Sequence, residues 1–152
     1  MKTFARDECF DEIVRRLRSV RADSARRWGT MTAHQMVRHC ADACRMASGD
    51  ATPADISTRA TRGPIKWIAL YAPMPWPTGI QTVPELDQRS AGTPPHTFDA
   101  DVATLTALLG AIRGREDGTP WPRHPIFGRL SQRAWLRWAY LHMDHHLRQF
   151  GV

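Results

Sequence analysis

The chain has 152 residues, 42% of them hydrophobic and 24% charged, with a net charge of +6. That length suits one domain over 1–152 with a proper core, and the composition excludes a disordered chain. No apolar run approaches the ~20 residues that span a bilayer, and MKTFARDECFDEIV lacks the apolar stretch of a signal peptide, so a cytoplasmic protein with no membrane partner is expected.

A first helix is predicted from about Asp7, its N-cap, to Val20, with Phe10, Ile13, Val14 and Leu17 on one face. Residues 22–29 break that pattern. A second helix opens at Thr32, whose spacing to Gln35 is that of a capping box. It carries Met36, Val37, Cys40, Cys44 and Ala47 and stops at Gly49. Cys9, Cys40 and Cys44 are an odd number, form no disulfide framework and read as small core residues.

Residues 50–98 hold eight of the eleven prolines, a density that regular helices do not tolerate. Within them Ile65–Tyr71 reads as a helix of two turns, and Trp67, Tyr71 and Trp76 argue for order, since disordered segments are poor in aromatics. An ordered loop of this length in a compact domain is usually functional.

A third main helix is predicted over Phe98–Arg113, on the period of Val102, Leu105, Leu108, Leu109 and Ile112. A second Pro-rich stretch, TPWPRHPIFGRL, leads to the fourth, from Ser131 as N-cap to Phe150. Arg129, Arg133 and Arg137 lie at i, i+4 and i+8 and read as a solvated helix face, so nucleic acid is not an expected partner. No strand alternation or hairpin turn stands out. The predicted class is all-α: a four-helix bundle with a long Pro-rich insertion between the second and third main helices.

Chemistry concentrates in the histidines. His142 and His146 are one turn apart on the last helix, offset by about 40° around its axis, so both imidazoles share a face and can reach one ion. His145 lies about 60° to the other side of His142, bordering that face. A third donor must come from elsewhere, and the second helix offers the candidates. His34 and His39 are about 140° apart there, so only one of them can face the pair. His34 falls in the first turn and His39 sits mid-helix beside core residues, which makes His39 the better candidate without deciding between them.

HQMVRHCADACRM in the second helix and HMDHHLRQF in the last resemble the DinB-like (YfiT-like) superfamily of metal-dependent proteins, in a branch of unknown function. The likeness extends through KWIALYAPMPWPTGIQTVPELDQ and HPIFGRLSQRAWLRWAYLHMDHHLRQFGV and covers most of residues 26–152. It implies a DinB-like four-helix bundle holding a divalent metal, zinc or nickel, on His39, His142 and His146, with His145 outside the ligand set. It also implies a homodimer and a small-molecule substrate.

Three neutral imidazoles leave open positions on such an ion, the mark of a catalytic site. The relatives suggest transfer of a low-molecular-weight thiol to a small electrophile, or a hydrolysis. His145 would then be the catalytic proton acceptor and the 50–98 segment part of the pocket wall. Trp135 and Trp138 read as core, Asp42 as either a carboxylate orienting a histidine or an exposed residue, and His34, His96 and His124 as surface. The rival reading is a non-enzymatic, dimeric partner-binding module in which the metal is structural.

Overall fold

A computed structural model describes residues 1–80 and 82–152. Helices dominate: α1 (Asp7–Ser19), α2 (Ala33–Ser48), α3 (Arg59–Arg62), α4 (Pro64–Tyr71), α5 (Phe98–Arg113) and α6 (Gln132–Gln149). Two-residue strands, β1 (Arg123–His124) and β2 (Gly128–Arg129), form an antiparallel ribbon. That ribbon corrects the all-α expectation. It lies in TPWPRHPIFGRL and is too short to display an alternation; Gly128, at φ 67, supplies the left-handed residue that turns the chain back.

The four long helices form where the apolar period placed them, and α1, α2, α5 and α6 pack against one another around one core. Cys9, Ile13, Val14 and Leu17 of α1 are buried, as are Leu105, Leu109 and Ile112 of α5. Full burial of one such aliphatic side chain stabilises the fold by about 1.5–3 kcal/mol. The cysteines are all free and buried, as expected.

The ends of the helices show which local signals were sufficient. Thr32 and Gln35 make the reciprocal capping box, Gly49 closes α2 at φ 94, and Ser131 caps α6 through the Ala134 amide. Asp7 does not cap α1. Arg6 holds the N-cap position without a side-chain bond, and Asp7 is the first helical residue, where its charge still favours the helix N-terminus.

Charged groups stitch the helices together. Arg16 reaches from α1 to Asp144 of α6 at 2.8 Å and to the Val152 carbonyl at 3.0 Å. Asp101, in the first turn of α5, accepts from Arg38 and His34 of α2 at 2.7 Å each and from the His96 amide at 2.9 Å. Burial raises the pKa of that carboxyl, but the three donors outweigh burial and hold it below the ordinary value.

The insertion carries regular structure of its own. It runs through α3, α4 and a 3-10 turn at Pro84–Leu86 that packs on α2. Asp42 holds its far end: the carboxylate accepts from the Thr93 amide (2.9 Å), Thr93 Oγ1 (2.7 Å), Gln88 Nε2 (3.2 Å) and Arg45 Nη1 (3.0 Å). Asp42 is therefore neither exposed nor bonded to a histidine ring; it anchors the loop. The arginine stripe also fails as drawn, because Arg129 belongs to β2 and Arg137 turns back to donate to the Leu70 carbonyl of α4 at 2.9 Å.

Candidate metal centre

α2 and α6 lie side by side, and their contact brings His39 to His142 and His146. One donor nitrogen from each ring falls within 4.8 Å of the other two. His39 Nε2 and His142 Nε2 are 3.2 Å apart, and the ring centroids are separated by 5.2, 4.7 and 4.7 Å. His39 and His146 are buried and His142 is half-buried, the least covered of the three.

Two of the three rings are oriented through their outer nitrogens. His39 Nδ1 is 2.7 Å from the Leu86 carbonyl, which can only accept, so Nδ1 carries the proton and Nε2 presents a lone pair inward. His146 Nδ1 donates to Gln149 Oε1 at 3.0 Å. The Gln149 amide is itself oriented, because its Nε2 donates to the Trp28 carbonyl at 2.9 Å. His142 is held differently: Trp138 stacks on it at 4.9 Å with 11° between planes.

Electrostatics favour the neutral form that a metal ligand requires. Burial pushes His39 below the ordinary imidazole range, against the opposing pull of its bond to Leu86 and of Asp42 and Asp87. It pushes His142 and His146 further down, and the neighbouring imidazoles add to the effect.

The His39–His142 separation is compatible with a shared metal. Nitrogen ligands at about 2.0–2.1 Å in a tetrahedron stand about 3.3–3.4 Å apart, close to the His39–His142 separation. The three nitrogens converge from two helices, with outer-nitrogen partners of the kind that second-layer groups provide in metal sites.

His145 is not among the three clustered histidines. Its ring centroid is 5.1 Å from that of His146, 5.9 Å from that of Trp28 and 6.1 Å from that of Trp76. Its Nδ1 is buried without a hydrogen-bond partner. Burial, followed by the charge of Arg148, lowers its pKa, so the ring is neutral near pH 7. Trp135 and Trp138 are core residues, as read, but Trp138 also touches the site.

Of the histidines read as surface, His96 is exposed, His34 is bound to Asp101, and His124 is a correction. His124 is 3% exposed between Phe127, Trp135 and Trp138, and its Nδ1 accepts from the Ile126 and Phe127 amides. Sequence reasoning missed Gln149, Leu86, Trp28 and Trp76 as neighbours of the site. Only Gln149 left a signal, three residues beyond His146 on the same helix.

Neither of two surface cavities opens on the triad. One of about 450 Å³ lies between α1 and α5, beside Phe10, Val14 and Arg18. Another, of about 210 Å³, lies beside Asp42, Glu85 and Leu86, on the outer side of His39's carbonyl partner.

Residues 6–151 match a family described as a protein of unknown function, DUF1569. Searches of curated proteins and of solved structures find no match.

Proposed function

Since the chain belongs to the DUF1569 family, whose description names no activity, we propose its function from the site: a metal-dependent transferase of DinB-like, four-helix-bundle type. It holds one divalent ion, zinc or nickel, on His39, His142 and His146, and joins a small thiol to a small electrophile. The observation that carries this reading is the convergence of three buried imidazoles with the outer nitrogens of His39 and His146 committed to Leu86 and Gln149.

A divalent ion held by three neutral imidazoles supplies a Lewis acid with open positions. The rest is the work of the chain. His142, the least covered of the three, admits the substrate. His145, neutral and with Nδ1 unpartnered, accepts the thiol proton as the sulfur–carbon bond forms. The electron pair displaced at the electrophile then takes that proton back. Trp28 and Trp76 pack near His145 and limit water around it.

The test is elemental analysis of untagged protein beside His142→Ala and His146→Ala. About one equivalent of zinc or nickel in the wild type, lost in both variants, supports the site and opens a screen of thiols against electrophiles. No metal after purification, and no uptake on incubation with either ion, overturns it. Loss of metal that lowers the melting temperature with no thiol consumption in the loaded protein favours the structural-metal, partner-binding alternative instead.

A further inference from the structure

The segment between Asp55 and Glu85 has no acidic residue and three cations, Arg59, Arg62 and Lys66. It also contains most of the large apolar side chains that the fold leaves in water. Trp67 is 63% exposed, Met74 61%, Ile68 51%, Ile65 45% and Tyr71 39%. In α4 only Leu70 is buried, at 1%. A two-turn helix that is apolar except for Lys66 and the Tyr71 hydroxyl and turns most of its surface outward is unusual for an isolated soluble monomer.

The cations continue the same surface. α3 packs on both α4 and β2, and the Ile56 amide donates to the Pro125 carbonyl, which ties the segment to the β1–β2 ribbon. The ribbon contributes exposed Arg123 and Arg129, directly paired in register. Among the described residues, the one carboxylate that forms an ion pair with Arg59, Arg62, Lys66, Arg123 or Arg129 is Asp55, shared by Arg62 at 3.7 Å and Arg123 at 3.3 Å.

We propose that α4 and the loop after it dock the protein on an anionic lipid surface, with Trp67, Ile68 and Met74 entering the interface and the α3–ribbon cations facing the headgroups. Exposed tryptophan and aliphatic side chains beside clustered cations match the two attractions that hold a protein on such a bilayer, apolar burial and charge. Charge also argues against self-pairing, because an isologous contact through this face would bring like-charged segments together. No helix here is long and apolar enough to cross a membrane. The expectation of no membrane partner rested on that spanning criterion, which does not bear on a protein that lies on the surface. This inference does not depend on the metal reading.

The experiment is co-sedimentation of the full chain with phosphatidylcholine vesicles and with vesicles of equal parts phosphatidylcholine and phosphatidylglycerol. Binding is expected to the anionic vesicles only, with release at high salt. Trp67→Ser with Ile68→Ser should abolish it, and Arg59→Gln with Lys66→Gln should weaken it several-fold, with helical circular dichroism unchanged in both. His146→Ala should bind as the wild type does, which separates this surface from the metal site. Absence of anionic-vesicle binding, or full retention by the Trp67/Ile68 variant, overturns the proposal. A wild-type dimer that this variant converts to monomer, with no vesicle binding, assigns the face to a second copy.

Discussion

Gln149 holds His146 from behind: its Oε1 accepts from His146 Nδ1 at 3.0 Å while its Nε2 donates to the Trp28 carbonyl at 2.9 Å. The side chain thus links the orientation of a candidate ligand to the loop between α1 and α2. Removal of such an outer partner typically weakens a metal site by about 10–100-fold. Gln149→Ala should lose zinc affinity by that order in competition with a chromophoric chelator. Gln149→Glu, which keeps an acceptor for Nδ1, should retain most of it. Equal loss in both variants would assign Gln149 a packing role only.

Gly29 makes room for that link. It sits at φ 77, and a Cβ there would stand 2.5 Å from Gln149 Nε2. Gly29→Ala therefore combines left-handed strain of about 1–2 kcal/mol with displacement of Gln149. A fall in melting temperature of about 3–8 °C is expected, together with weaker metal binding. Lost stability with unchanged metal affinity would uncouple the loop from the site.

The helices and the His142–His146 pair were legible because both depend on local spacing, whereas His39, 103 residues before His142, came from the likeness of HQMVRHCADACRM to a known superfamily. The period of Leu105, Leu109 and Ile112 or the one-turn step from His142 to His146 needs no knowledge of distant residues. What stayed hidden depends on tertiary contact. Leu86 lies 47 residues from His39 and acts through its backbone carbonyl, which no side-chain pattern encodes. His124 reads as polar and exposed in a Pro-rich stretch, yet the fold closes Trp135 and Trp138 over it. Trp67 and Tyr71 show the reverse: aromatic residues that argued for order are ordered, but they face solvent.

Asp42 acts at a distance from the triad. It ties Thr93 and Gln88 to α2, at the end of the segment whose Leu86 carbonyl orients His39. Asp42→Ala strips a buried carboxylate and leaves the Thr93 amide without its partner, a loss of about 2–4 kcal/mol. Urea unfolding should show the loss, and limited proteolysis should show faster cleavage near residues 87–93. A variant as protease-resistant as the wild type would mean that the loop is held by its other contacts.

His124 predicts sensitivity to acid. Burial pushes its pKa down to about 3, against about 6.5 in an unfolded chain. Between those values the unfolded state takes up a proton that the folded state excludes. The stability is thus complete above about pH 6.5 and is lost as pH falls towards 3, by about 1.4 kcal/mol per unit for this group. In the metal-free protein His39, His142 and His146 are shifted in the same direction and add to the slope. His124→Asn, whose Oδ1 can still accept from the Ile126 and Phe127 amides, should be less stable at neutral pH but lose less on acidification from pH 6 to 4. Identical slopes in urea titrations of the two proteins would show that His124 is not the excluded proton site.

His145 separates the roles within HMDHH. It is sequence-adjacent to His146, but its ring packs near Trp28 and Trp76 and it is not among the clustered His39, His142 and His146. His145→Ala should therefore keep about one equivalent of metal with unchanged chelator competition, where His142→Ala and His146→Ala lose it. In the loaded protein the same variant should slow thiol consumption by about 10²–10⁴-fold, the usual contribution of a positioned proton acceptor. His145→Gln should resemble His145→Ala in rate, since an amide can fill the space but cannot take the proton. Loss of metal from the His145 variants would make the middle histidine a ligand, and an unchanged thiol rate would move the proton acceptor elsewhere.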